Sequence, residues 1–203
     1  GSQKYPFTED MKPNPADPYA ISKVAAEQTL INLCELNKIE WVIAVPHNII
    51  GPMQKYDDPY RNVVSIMTNL ILQKRKPIIY GDGEQTRNFS DIDDCLYCLD
   101  KLITSKEILS ETFNIGPDEE SISINELYKM LCNKLQFNEP AQYVEDRPNE
   151  VKHAVCSSDK ARKYLNYKTS VNLSDAIDKV INYIKIKGPK KFEYNYNLEI
   201  DNK

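Results

Sequence analysis

Glycine is scarce in this chain. Only six of 203 residues are Gly, at 1, 51, 81, 83, 116 and 188, and no G-x-x-G-x-x-G run occurs. The chain therefore carries no glycine-rich loop that could present backbone N–H groups to a dinucleotide pyrophosphate at a helix start. Histidine is rarer still. His47 and His153 are too few and too far apart to suggest a metal site. Cations are not in excess either: 26 Lys+Arg against 30 Asp+Glu leave a net charge of −4. That balance argues against a nucleic-acid partner, which requires a basic footprint. Long apolar runs are missing too. The best, Trp41–Val45, is stopped by Pro46 and falls far short of the roughly 20 residues that cross a bilayer. No charged leader followed by an apolar stretch opens the chain. The five cysteines (34, 95, 98, 132, 156) are an odd number lying mostly in helical patterns, as expected in a reducing compartment. These absences predict a cytoplasmic chain with no membrane contact, built as one domain or as one large and one small lobe.

What is present is an alternation of short strands and amphipathic helices. Residues 3–17 contain Pro6, Pro13 and Pro15 and read as a surface loop. Asp17 can cap and Pro18 suits a first helical position, so a helix is predicted to run on to about Leu36. Residues 40–45 form a continuous apolar run, the pattern of a strand buried on both faces of a parallel sheet. Further helices are predicted at 62–73, 91–104, 123–135, 157–164 and 173–186, and strands at 76–80, 112–115 and 142–145. The long segment 47–60 has no period and reads as a loop of the functional kind. After Gly188-Pro189 the composition turns to Lys, Asn, Tyr and Glu, which predicts a mobile tail over 188–203. The alternation places the chain in the α/β class.

The sharpest chemical feature is Tyr19-Ala-Ile-Ser-Lys23 at the start of the first helix. A spacing of four puts the phenol and the ammonium on one face, a turn apart. A nearby cation favours a phenolate and so helps a tyrosine to act as a base. An isolated pair of this spacing is more often a packed Tyr beside a solvated Lys. Here Pro18, the Ala-rich continuation and the apolar strand that follows strengthen the catalytic reading. Cys95-Leu-Tyr-Cys98 also has suggestive spacing, but no second pair or His cluster accompanies it and it lies within an apolar helix face, so packing is expected rather than metal binding.

Pro18-Tyr-Ala-Ile-Ser-Lys-Val-Ala-Ala-Glu27 closely resembles the catalytic helix of the extended short-chain dehydrogenases/reductases, in particular the nucleotide-sugar epimerase and dehydratase group. Other segments are similar in the same order: Phe7-Thr-Glu-Asp10, Pro46-His-Asn-Ile-Ile-Gly-Pro-Met-Gln54, Ile79 to Phe89 followed by Asp93-Asp94, Phe113-Asn-Ile-Gly116, and Arg147-Pro-Asn-Glu-Val-Lys-His153. The resemblance runs from about residue 5 to 186 and is UDP-glucose 4-epimerase-like. It implies the C-terminal part of a Rossmann-type, doubly wound parallel sheet with a small α/β substrate lobe. Residues 3–52 would close the NAD-binding domain, 53–187 would be mainly substrate lobe, and 91–116 would return to the sheet.

By the same resemblance, Tyr19 is the acid or base at the sugar hydroxyl and Lys23 binds the nicotinamide ribose, with Pro46 also at the cofactor. Asn48, the backbone around Ile78 and Tyr80, Arg87, Arg147 and Glu150 would bind substrate, the two arginines gripping the diphosphate. Asn88, His47 and Asn149-Glu150 depart from the usual pattern. The implied activity is C4 epimerisation of a nucleotide-diphosphate sugar, with UDP-sugars foremost, through a 4-keto intermediate with bound NAD. A nucleotide-sugar 4,6-dehydratase and a non-catalytic nucleotide-sugar-binding fragment are the alternatives. The implied partners are a missing N-terminal Rossmann half, carrying the glycine-rich loop and the catalytic Ser/Thr, and a second copy in a homodimer. The isolated chain is expected to hold no NAD, to be inactive, and either to self-associate or to need its N-terminal half.

Overall fold

The computed structural model of the chain describes residues 5–117, 121–147 and 151–194. In chain order its elements are α1 (Pro18–Asn37), β1 (Val42–Pro46), β2 (Ile49–Ile50), α2 (Val63–Leu72), β3 (Ile78–Tyr80), β4 (Thr86–Arg87), β5 (Ser90–Asp91) and α3 (Ile92–Thr104). They continue with β6 (Glu111–Ile115), β7 (Ile122–Ser123), α4 (Ile124–Leu135), β8 (Gln142–Val144), β9 (His153–Ala154), α5 (Asp159–Leu165) and α6 (Leu173–Lys187). Two units form. Unit 1 comprises Gly1–Ile49, Asn88–Glu120 and His153–Val171; unit 2 comprises Ile50–Arg87, Ser121–Lys152 and Asn172–Lys203.

In unit 1, α1 starts where the Asp17 carboxylate accepts the Ala20 N–H at 2.8 Å, with Pro18 in the first turn. It ends at Lys38, whose φ of 56° breaks the helix in the left-handed region. Strands β1 and β6 pair in parallel, Val42 opposite Glu111 through Pro46 opposite Ile115. Apolar residues of α3 (Cys98, Leu102) and α5 (Ala161, Leu165) pack with Phe113, Ile115 and Tyr167 to form the core of this unit. Residues 153–171 cluster in this unit. Ala161, Leu165 and Tyr167 have their apolar partners on β6 and α3. The loop after them is tied to α3 by buried Asp94, which accepts the N–H groups of Ser170 (3.0 Å) and Val171 (3.4 Å) and the Ser170 hydroxyl.

Strand β1, whose apolar run is the pattern of a strand covered on both faces, is half-buried in this chain. Helix α1 has no buried residue, and Leu33 and Leu36, with Ile39 just beyond it, are exposed.

Unit 2 is organised around α2, in which Val64 through Ile71 are all buried. Such a helix needs cover on several sides, and α4 and α6 pack against it. The β3–β8 pair is parallel, Tyr80 opposite Val144, and β4–β7 is antiparallel, Arg87 opposite Ile122. Helix α4 opens with a capping box between Ser123 and Glu126.

The segment that follows α6 is bonded as far as Phe192. Fully buried Asn69 accepts the Lys190 N–H at 2.9 Å and donates to the Lys190 carbonyl at 2.8 Å. Tyr56 and Arg75 donate to the carbonyls of Gly188 (3.0 Å) and Phe192 (3.1 Å). Buried amide groups need partners, and the strap supplies them. Residues 195–203 lie outside the described residues.

Candidate active site

Tyr19 lies in the first turn of α1 and is 71% exposed, so its hydroxyl is open to a ligand. Lys23, one turn on, places Nζ 5.4 Å from the centre of the Tyr19 ring. The helix repeat alone brings these two together. They are suited to one end of a nicotinamide cofactor: a cation able to meet ribose hydroxyls beside a phenol able to move a proton. No other described group is needed for that pairing.

At the C-terminal end of β1, Pro46 is exposed. Beyond it the backbone turns through Asn48 at a φ of 43°, a conformation that Asn tolerates better than most residues. The Asn48 side-chain amide donates to the Asn88 carbonyl at 2.9 Å, and the Asn48 carbonyl accepts the Ser90 N–H at 3.3 Å. Asn48 is thereby oriented by the 88–90 segment. A primary amide has a second N–H and a carbonyl oxygen with which to meet a ligand. The preceding His47 is half-buried, and this loss of solvent holds its imidazole below the usual pKa.

In unit 2 the structure brings Tyr80 and Arg147 into contact: the guanidinium carbon lies 3.9 Å from the centre of the Tyr80 ring. The side chain of Ile78 is buried, so any meeting of this residue with a ligand falls to its backbone. Arg87 Nη1 donates to the carbonyls of Thr86 (2.8 Å) and Lys152 (3.3 Å), which seats it against the far end of the segment that carries Arg147. Glu150 lies outside the described residues, as does Asn149.

The turn between Tyr80 and Gln85 contains contacts that the sequence reading missed. Gly81, at φ 65°, leaves the space where a Cβ would stand to the Asp146 carboxylate. Gly83, at φ 75°, does the same for the Asn125 amide. Asn125 also donates to the Asp82 carbonyl at 2.9 Å, and Gln85 Nε2 donates to the Tyr80 carbonyl at 3.0 Å. The two glycines were the available signal, since a positive φ marks where the backbone admits a neighbour. What fills each gap comes from distant sequence.

Cys95 and Cys98 are buried, and Cys98 belongs to the unit 1 core. Burial pushes the Cys98 thiol up to about 12, which makes it a packing group rather than a ligand or nucleophile at neutral pH. Among the described residues no group of three or more His, Cys, Asp or Glu could hold a metal ion, and no helix is long and apolar enough to cross a membrane.

Residues 1–180 match a family profile described as GDP-mannose 4,6 dehydratase. A Methanocaldococcus jannaschii protein provisionally assigned as a UDP-glucose 4-epimerase is 32% identical over 182 residues, 89% of this chain and 57% of its own length. The mouse dTDP-D-glucose 4,6-dehydratase is 30% identical over 192 residues, 91% of this chain and 52% of its own. Among solved structures, the Bacillus cereus UDP-glucuronic acid 4-epimerase in complex with UDP-glucuronic acid and NAD superposes with a TM-score of 0.85 at 29% identity, over 93% of this chain and 59% of that one. This chain thus spans between half and three fifths of the length of these relatives. The shared architecture is the C-terminal portion of a Rossmann-type α/β fold, as the sequence led one to expect.

Proposed function

Because the chain belongs to the GDP-mannose 4,6-dehydratase family of nucleotide-sugar epimerases and dehydratases, we propose that it is the C-terminal portion of an NAD-dependent nucleotide-diphosphate-sugar 4-epimerase. The observation that carries this reading is the exposed Tyr19 phenol with the Lys23 ammonium against its ring at 5.4 Å. NAD, when bound, accepts and returns a hydride. The residues of this chain do the rest. Tyr19 takes the proton from the sugar C4 hydroxyl as that carbon becomes a ketone, and gives it back when the centre is re-formed. Lys23 keeps a positive charge beside the phenol and meets the nicotinamide ribose, with Pro46 alongside. Inversion follows if the 4-keto sugar turns over before the hydride returns to its other face.

The remaining binding groups serve the nucleotide end. Arg87 and Arg147 grip the diphosphate through planar forks that match phosphate oxygens. The backbone at Ile78 and Tyr80 lies against the base, and Asn48 and Glu150 contact substrate. The pyrophosphate of NAD is left to a preceding N-terminal half with the glycine-rich loop. That half and a second copy would cover the apolar residues that α1 exposes.

A 4,6-dehydratase is the second reading, favoured by the similarity to the mouse enzyme. It shares the first oxidation and then eliminates water. The test is product analysis by NMR after the full-length parent, loaded with NAD, meets UDP-glucose. UDP-galactose supports epimerisation, a 4-keto-6-deoxy sugar supports the second reading, and unchanged substrate counts against UDP-glucose as the sugar. Calorimetric titration of the full-length parent with UDP tests the nucleotide end separately. Arg87→Ala or Arg147→Ala should each cost about 2–4 kcal/mol of binding if the pair is desolvated, and two variants that bind like wild type would remove the diphosphate role.

A further inference from the structure

Three successive contacts fold the 144–147 segment over the end of β3. Val144 accepts the Gly81 N–H at 2.9 Å, the Asp146 carboxylate fills the space beside Gly81, and the Arg147 guanidinium covers the Tyr80 ring at 3.9 Å. Tyr80 is a fixed platform. Its backbone is registered against Val144 in the parallel ladder, and its carbonyl accepts Gln85 Nε2 at 3.0 Å. Arg147, by contrast, belongs to the long side chains with most rotamer freedom to lose. A guanidinium that lies on an aromatic ring uses its π face for the contact and keeps its N–H bonds in the plane. In Arg147 the Nε–H is itself enclosed, so the edge offered to a ligand is that of the two Nη groups. Those in-plane donors are the ones that bind phosphate oxygens in pairs.

We propose that the Tyr80 ring is a positioning residue for Arg147: it holds the guanidinium flat and its N–H edge presented, so that the diphosphate of a nucleotide sugar meets a preoriented fork. This rests on the reading of Arg147 as a diphosphate ligand, and it gives the Tyr80 side chain a task distinct from that of its backbone at the base. The ordering is done before the ligand arrives, which lowers the entropy cost of binding.

The test is a double-mutant cycle in the full-length parent, read by calorimetric titration with UDP. Tyr80→Leu should weaken UDP binding by about tenfold, the scale of a desolvated cation–π contact. Tyr80→Phe keeps the ring face and should restore binding to near wild type. In an Arg147→Ala background, Tyr80→Leu should cause no further loss, because the group it positions is gone. Arg147→Lys keeps the charge without the planar stack and should lose affinity to an extent similar to Tyr80→Leu, which keeps the test open should Tyr80→Leu not fold. Losses that multiply in the double variant would overturn the proposal and assign the ring to the nucleotide itself. So would a Tyr80→Leu protein that folds and binds like wild type. In either case a weak Arg147→Ala variant leaves the diphosphate reading standing, whereas an Arg147→Ala variant with wild-type affinity removes both.

Discussion

The Glu9 carboxylate accepts the backbone N–H of Asn114 at 2.8 Å, while the Asn114 side-chain amide donates to the Phe7 carbonyl at 3.1 Å. This reciprocal clamp fastens the loop that leads into Tyr19 to strand β6. Phe7 is also bonded to the other side, its N–H to Val155 and its carbonyl to Ser157, each at 2.8 Å. Glu9→Ala should therefore cost about 1.5–3 kcal/mol of stability, the range for losing a charge-assisted bond, here to the N–H of buried Asn114. Denaturant melts give the magnitude. Faster hydrogen exchange at the Asn114 amide gives the location, and an unchanged amide would mean that the clamp does not constrain the loop.

At Tyr19, the phenylalanine substitution in the full-length parent should lower kcat by at least about a hundredfold, the scale of lost general acid–base catalysis. Substrate affinity should change little, because the hydroxyl acts on the proton in flight. Lys23→Met should lower the fraction of enzyme purified with NAD, measured by absorbance after denaturation. Full turnover in Tyr19→Phe would dismiss the catalytic assignment.

Asn69 is completely buried and bonds both backbone groups of Lys190 as well as the Tyr56 carbonyl at 2.9 Å. Replacing it by Ala takes away the partner it gives to the Lys190 N–H and the Tyr56 carbonyl, while the Lys190 carbonyl keeps Gln73 Nε2 at 2.9 Å, and should cost about 2–3 kcal/mol. It should also release the 188–192 strap. Limited trypsin digestion then reads the effect directly: cleavage after Lys190 and Lys191 is slow in wild type and fast in Asn69→Ala. Equal rates would show that other contacts suffice.

The pH dependence of stability follows from buried groups on both sides of neutrality. His47 is held below its ordinary 6.5 by burial, so the native chain stays unprotonated where the unfolded chain takes up a proton. Its contribution is lost as pH falls below about 6.5. On the alkaline side, burial pushes Cys98 up to about 12 and Cys156 up to about 11, from 9.0. The unfolded thiols ionise first, so stability falls as pH rises above about 9, by about 1.4 kcal/mol per pH unit per thiol. Denaturant melts across this range should trace a dome, and Cys98→Ala should flatten its alkaline limb. A slope unaltered by that change would mean that Cys98 titrates alike in both states.

What the sequence determined by itself is what local rules govern. The period of apolar residues predicted helices over 62–73, 91–104, 123–135 and 173–186, and each forms within a residue or two of those bounds. Asp17 and Pro18 marked the start of α1 because capping is a contact between near neighbours. Tyr19 and Lys23 were legible as a pair for the same reason: one helical turn joins them. Tertiary structure decided what depends on residues remote in the chain. Burial of β1 and α1 is set by whatever packs against them, so an apolar run read as covered is half open. The strap at 188–192 has the composition of a loose end, and it is held by side chains remote in the chain, those of Tyr56, Asn69, Gln73 and Arg75. Arg147 could be recognised as a phosphate-binding type of residue, but its seat on Tyr80 comes from a parallel strand pairing between β3 and β8, and no local pattern encodes the partner of a parallel strand.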